Sequence, residues 1–78
     1  MLQVIRVKYI KDYTIWVSLN DGSKGNVDLS DFIKDDLQDK SIFAKLRLDP
    51  ALATVTWPNG ASFTPEFLKT HIARANLG

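Results

Sequence analysis

The chain has 78 residues, the size of one small domain, and we expect residues 1–78 to fold as a single domain. Its formal net charge is +1, from ten basic and nine acidic residues, which favours neither a general nucleic-acid binder nor a membrane-surface protein. The absence of cysteine excludes disulfide frameworks, thiolate metal sites and cysteine nucleophiles.

The amino-terminal residues have no features of a targeting or membrane segment. No basic region precedes an apolar stretch, as it does in a signal peptide. No apolar run approaches the ~20 residues that span a bilayer. We therefore expect a cytoplasmic protein without a membrane partner.

Three strand patterns occupy the first part of the chain. Residues 2–10 and residues 13–19 both alternate between apolar and polar side chains, which is typical of half-buried strands. The Asn-Asp-Gly-Ser sequence at residues 20–23 indicates a tight turn into a third strand at residues 24–29. One face of the first strand would carry Ile5, Val7 and Tyr9.

The middle of the chain changes to a helical pattern and back. Ser30 and Asp31 suit the cap and first turn of a short helix. Residues 38–41 are polar and are expected to be irregular. Alternation returns at residues 43–49 and predicts a fourth strand. The apolar side of the helix would consist of Phe32, Ile33 and Leu37.

The last third contains a strand, a turn and a helix start. Residues 52–57 predict a fifth strand that ends with Trp57 in the core. Asn59-Gly60 accepts positive φ at both central positions of a hairpin turn. Thr64 and Pro65 suit the N-cap and first position of a helix that runs to about Ala75.

Together these elements predict an α+β fold. It would have a mainly antiparallel sheet of about five strands, because hairpin-length connections dominate. A short mid-chain helix interrupts the strands, and the C-terminal helix packs on the sheet.

Several of these segments resemble the DUF2442 family, small bacterial proteins with a conserved domain of unknown function. The matching segments are Asp21-Gly22, Val27-Asp28-Leu29, Phe43 through Asp49, Trp57-Pro58-Asn59-Gly60 and Pro65-Glu66-Phe67-Leu68. The resemblance implies an α+β fold and no catalytic residues. It also implies relatives that occur alone, before a helix-turn-helix domain, or beside toxin–antitoxin-like genes. The family signature, which we interpret as structural, comprises Trp57, Pro58, Asn59, Gly60, Pro65 and Glu66.

The chain departs from the family pattern at three places. Ser62 stands where the family usually has Asp, which weakens any role for a carboxylate there. Phe67-Leu68-Lys69 replaces a usual Leu-Tyr pair. Trp16 lies on the second strand, where residues facing away from the core are usually polar.

Few residues indicate a reaction centre, so we expect no enzyme activity and no cofactor or metal. The single histidine, His71, lies beside the apolar stripe of the last helix, where a structural role is expected. Carboxylates suit Mg²⁺ or Ca²⁺, but a solvated face explains the acidic residues more simply. This acidic group is Asp28, Asp31, Asp35, Asp36 and Asp39.

One candidate binding surface surrounds Trp16, an aromatic residue on the polar face of the second strand. With Leu2 and Val4 it would form an apolar patch for a protein partner. The alternative is that a helix covers this face, which would make Trp16 part of the core.

The second candidate surface is basic. Its residues occupy solvent-facing strand positions and, with Trp16 as a stacking platform, would suit single-stranded nucleic acid. The alternative is the ordinary protection of a sheet edge by Lys and Arg. The basic residues are Arg6, Lys8, Lys45 and Arg47.

The sequence therefore predicts a small non-enzymatic protein-interaction module. It would act as a homodimer or in a complex with the product of a neighbouring gene. The alternative is a nucleic-acid-linked regulatory or antitoxin-like protein, for which the basic surface would bind nucleic acid.

Overall fold

A computed structural model describes residues 1–73 and confirms the α+β class. Three strands come first, followed by two short helical segments, two more strands and a final helix, an order close to the one expected from the sequence. The strands are β1 (Val4–Lys11), β2 (Thr14–Leu19), β3 (Lys24–Asp28), β4 (Arg47–Asp49) and β5 (Thr54–Thr56). The helices are α1 (Lys40–Phe43) and α2 (Pro65–Thr70), and a 3₁₀ turn occupies Asp35–Gln38.

The strands form two antiparallel sheets, so the expectation of one five-stranded sheet is wrong. One sheet has the order β1-β2-β3, and the other is the pair β4-β5. β1 carries irregularities between Val4 and Arg6 and between Tyr9 and Lys11. Bulges bend a strand and increase its twist. β1 contacts the turn before β5, where the Val4 N–H donates to the Ala53 carbonyl, but it forms no ladder with β4 in the described residues.

The core lies on one face of the three-stranded sheet. Ile15, Val17 and Leu19 alternate along β2 and are at most 1% exposed, as expected from the sequence. Phe43 and Leu68, from α1 and α2, are fully buried against the same core. The molecule measures only 16 Å along its shortest axis. Because packed layers lie about 10 Å apart, this thickness fits two layers, and no helix of residues 1–73 forms a third layer on the other sheet face.

The first bulge reverses the predicted alternation of β1. Val4 pairs with Leu19 and Arg6 pairs with Ser18, so one residue of β1 has no opposite partner. Val4 is 3% exposed, whereas Ile5 is 49% exposed and not on the core face that the alternation predicted. An extra residue moves every earlier side chain to the other face of the strand.

The mid-chain helix does not begin at Ser30. The Asp28 carboxylate accepts a hydrogen bond from the Ser30 backbone N–H (2.9 Å), which forms a turn there. Lys34 is then extended, with φ −138° and ψ 160°. α1 instead begins at Lys40, within the segment expected to be irregular, where the Asp39 carboxylate caps the Ser41 N–H (2.9 Å).

The predicted fourth strand is shorter than expected. Phe43 belongs to α1, and residues 44 and 45 form a turn, so only Arg47–Asp49 is extended. Lys45 therefore does not lie on a strand. The cause is the packing of Phe43, which the core buries completely.

The hairpin after β5 is confirmed, with a different turn geometry. Gly60 N–H donates to the Trp57 carbonyl (2.9 Å), which places Pro58 and Asn59 at the centre of the turn. Among Pro58, Asn59 and Gly60, only Gly60 has positive φ (89°), as in a hairpin that ends with a glycine bulge. Trp57 lies in the core, 2% exposed, and its Nε1–H donates to the Phe43 carbonyl (2.8 Å).

The start of α2 is as predicted, and its end is earlier. The Thr64 hydroxyl accepts from the Phe67 N–H (3.1 Å), and Pro65 occupies the first turn. The helix ends at Thr70 because the chain then turns towards β3, where the Ala73 N–H donates to the Asn26 carbonyl (2.7 Å). The expected helix end at residue 75 lies outside the described residues.

Candidate binding groove

A groove of about 750 Å³ runs along β1 and separates it from β4. Its walls come from β1, β2 and the segment that ends in β4, and no helix contributes to them. We refer to it as the β1–β4 groove. It is lined by Arg6, Val7, Lys8, Ile10, Trp16, Leu46, Arg47 and Leu48.

The sheet register places Trp16 beside the basic residues of β1. Lys8 is directly opposite Trp16, and Arg6 is opposite Ser18. These side chains share the face opposite to the buried Ile15 and Val17. Trp16 is half-buried and lines the groove, so it does not belong to the buried core of residues 1–73.

Three cations converge on this groove. Arg6, Lys8 and Arg47 are exposed, and no carboxylate of the described residues lines the groove. The ion pairs found in residues 1–73 join Lys40 to Asp12 and Lys69 to Asp21, so they leave the groove cations unpaired. Like charges in a concave site with apolar walls create a local positive potential.

Lys45, Leu2 and Val4 lie apart from the groove, although the sequence placed them on the two candidate surfaces. Lys45 is exposed in the turn after α1 and is not a lining residue. Leu2 packs against the core, and Val4 is part of it. Val4 is therefore unable to form an exposed patch with Trp16.

Four lining residues were not identified as site residues from the sequence: Val7, Ile10, Leu46 and Leu48. The contact between β1 and β4 joins segments far apart in the chain, and no local pattern predicts it. Ile10 could have been identified from the sequence, because the alternation of β1 places this apolar residue on the same face as Arg6 and Lys8. In the structure it is 40% exposed.

Two residues of the acidic group, Asp28 and Asp39, cap local turns. The Asp28 and Asp39 carboxylates accept N–H groups two residues later, and these bonds lower the pKa of each carboxyl. For Asp39 the largest cause is the Ser41 hydroxyl, 2.7 Å away. Within residues 1–73, no three His, Asp or Glu side chains lie close enough together to hold a metal ion.

His71 is built into an aromatic cluster at the end of α2. Its ring stacks on Phe67 with centroids 4.2 Å apart and meets the edge of Phe32 at 4.8 Å. Its Nδ1–H donates to the Phe67 carbonyl oxygen (2.9 Å). These contacts give the side chain a structural position at the helix end.

The family-signature residues lie at structural positions. Pro65 is buried in the first turn of α2, where exposed Glu66 complements the positive end of the helix dipole. Pro58, Asn59 and Gly60 form the exposed hairpin turn. None of them lines the β1–β4 groove.

None of the helices in the described residues is long and apolar enough to cross a membrane. The fold and the groove define a small α+β protein with an open, cationic surface groove. The chain belongs to the family described as "Protein of unknown function (DUF2442)", whose model matches residues 4–74, and this confirms the resemblance. No curated protein and no solved structure has a significant match to the chain.

Proposed function

We propose that this chain is a small non-enzymatic interaction module that binds a protein partner in the β1–β4 groove. The partner is a second copy of the chain or the product of a neighbouring gene. The proposal is supported chiefly by one observation: half-buried Trp16 lies among three cations that have no ion pair within residues 1–73, in a groove lined by no helix of those residues. Tryptophan and arginine are the residues that most often dominate the energy of protein interfaces.

The walls of the groove also favour a protein partner. Ile10 is 40% exposed, and Leu46 and Leu48 are half-buried, so each side chain can bury further apolar surface when a partner binds. Each Å² of apolar surface removed from water contributes about 25 cal/mol. Apolar walls with a cationic rim match the usual anatomy of an interface.

The homodimer form predicts association that depends on protein concentration and on Trp16. Trp16→Ala should weaken self-association about tenfold or more, because truncating a central aromatic costs roughly 2 kcal/mol. Trp16→Lys should weaken it further by adding a fourth cation. Sedimentation equilibrium over a wide concentration range measures the change. Leu52→Ala is the matched control, since Leu52 is 57% exposed but does not line the groove.

Circular dichroism melting checks that each variant remains folded. A monomer at the highest concentration rules out the homodimer form. The other form is then tested by co-purification with the neighbouring gene product, which Trp16→Lys should abolish and Leu52→Ala should leave unchanged. If neither form of association depends on Trp16, the proposed function is wrong.

The alternative is a nucleic-acid-linked regulatory or antitoxin-like protein, and the convergence of Arg6, Lys8 and Arg47 on Trp16 favours it. Three phosphate contacts predict that log K for single-stranded nucleic acid falls with log salt with a slope of about −2. Electrophoretic mobility shifts at several salt concentrations measure this slope. The absence of a shift at low salt rules out the alternative. It is the weaker candidate because Lys45 lies outside the groove and the net charge is only +1.

A further inference from the structure

The hydrogen-bonding edge of β1 can be assigned from the sheet register. Alternate residues of an antiparallel strand direct their N–H and C=O groups to opposite edges. The Leu19 N–H donates to Ser23 (2.8 Å), so the odd-numbered residues of β2 bond towards β3. The even-numbered residues therefore bond towards β1, and Trp16 exchanges hydrogen bonds with Lys8.

It follows that Val7 and Tyr9 direct their backbone groups away from β2. This outer edge of β1 faces the β4–β5 pair. At Val4, the backbone N–H donates to the Ala53 carbonyl (2.8 Å) in the turn between β4 and β5. Further along β1, the outward N–H and C=O groups of Val7 and Tyr9 have no hydrogen-bond partner among residues 1–73. The edge is thus closed at one end and open along the groove.

β4 has an open backbone position on the groove as well. Trp57 N–H donates to Ala61 (3.0 Å), so Thr54 and Thr56 are the residues of β5 that bond towards β4. Their partners in β4 are Asp49 and Arg47. Leu48, which lies between these two, therefore directs its N–H and C=O away from β5. Leu48 also lines the groove.

The groove side chains form two rows. Arg6, Lys8 and Arg47 are exposed on the outer face, whereas Val7, Leu46 and Leu48 are half-buried against the core. Successive side chains of an added strand point to opposite faces. Such a strand would place every second residue beside the cations and the others beside the apolar row.

We propose that the occupant of the groove is an extended segment of the partner protein, with alternating acidic and apolar residues, that adds as a strand to the Val7–Tyr9 edge. The inference rests on the proposed function and specifies its partner. In strand addition, main-chain hydrogen bonds supply affinity and alternate side chains supply specificity. The acidic residues would contact Arg6, Lys8 and Arg47, and no Asp or Glu of residues 1–73 is among the side chains that line the groove. Nucleic acid would match the cations but would not form the alternating N–H and C=O ladder that an added strand forms.

The test uses a blocked decapeptide of alternating Glu and Val, titrated into ¹⁵N-labelled protein. Two controls are a peptide of the same composition with Glu and Val in separate blocks and a ten-nucleotide oligo-dT. The alternating peptide should bind and slow hydrogen exchange of the Val7 and Tyr9 amides by about tenfold or more, because those amides become paired. Neither control should protect them.

Two substitutions separate the backbone contribution from the charge contribution. Val7→Pro removes an outward N–H without removing a bond to β2, and proline is tolerated on such an edge. It should weaken peptide binding about tenfold. Arg47→Glu should weaken binding by a similar factor while leaving the Val7 and Tyr9 amides free to pair. Melting of each variant checks its fold.

The outcomes distinguish this inference from the proposed function. Failure of the alternating peptide to bind, binding without protection of Val7 and Tyr9, or equal protection by either control overturns strand addition. If association of the chain still depends on Trp16 in those cases, the interaction module stands without strand addition. If association does not depend on Trp16 in those cases either, both are overturned.

Discussion

The two tryptophans differ in burial: Trp57, directly after β5, lies in the core, whereas Trp16, in β2, lies at the surface groove. The contacts of each ring explain this difference. Trp57 is 2% exposed, packs beside Phe43 with ring centroids 5.3 Å apart, and donates Nε1–H to the Phe43 carbonyl. Trp16 is half-buried and faces the groove. Burial with a satisfied indole N–H identifies a structural residue.

The first prediction compares Trp57→Phe with Trp16→Phe. Trp57→Phe should lower the free energy of unfolding by about 2–4 kcal/mol, because it leaves a cavity and a buried carbonyl without its donor. Trp16→Phe should lower it by less than about 1 kcal/mol, since it removes part of a half-exposed ring. Urea denaturation followed by circular dichroism measures both. Equal losses would contradict the assignment of Trp57 to the core.

At the scale of elements, the chain after α2 closes the outer edge of β3. Ile72 forms a bridge with Val27, and the Ala73 N–H donates to Asn26. This approach needs a glycine on β3: a Cβ on Gly25 would lie 2.6 Å from Ile72 Cγ2. The backbone of Gly25 also has φ +151°, which side-chain-bearing residues rarely adopt.

The second prediction compares Gly25→Ala with Gly22→Ala. Both glycines have positive φ, but nothing lies within 4 Å of a Cβ on Gly22. Gly22→Ala should therefore cost only the backbone strain, about 1 kcal/mol. Gly25→Ala should cost about 1–3 kcal/mol more, because it must also displace Ile72. Thermal and urea unfolding measure the difference, and faster exchange of the Ala73 amide would accompany it. Equal costs would contradict tight docking of Ile72 on β3.

The sequence predicted correctly those elements that are determined by neighbouring residues, and it failed where contacts between distant segments decide the structure. The turn after β2, the Thr64 cap and the alternation of β2 depend on neighbouring residues, and the structure confirms them. The bulges of β1 have no signal in the alternation. The position of α1 depends on burial of Phe43, a tertiary contact that overrides the local strand pattern.

The same distinction applies to the groove. Arg6, Lys8 and Trp16 could be placed on one face from alternation and a hairpin alone, and the register brings them together. Arg47 joins them only because β4 packs beside β1. Lys45 follows the same sequence alternation as Arg47, but the turn after α1 carries it away from the groove.

At the scale of the whole molecule, three carboxylates link the stability of the domain to pH. The Lys69 ammonium, 2.6 Å from Asp21, and the Ser23 N–H lower the pKa of Asp21 to about 2. The pKa values of Asp28 and Asp39 are lowered by bonds from Ser30 and Ser41. The Asp21 pair joins α2 to the β2–β3 turn, so its loss affects the contact between separate elements.

The third prediction is that melting temperature falls as the pH is lowered from about 4 towards 2. A carboxyl whose pKa is lower in the folded state stabilises the fold at pH values above its unfolded pKa of 3.8. That contribution disappears as the pH falls through the folded value, which is about 2 for Asp21. Asp21→Asn should lower the melting temperature at pH 5 and flatten its decline below pH 4. Asp31→Asn, at a residue without an ion pair in the described chain, is the control. Circular dichroism melts between pH 2 and 5 test this, and parallel curves for wild type and Asp21→Asn would show that the Lys69–Asp21 pair does not carry the dependence.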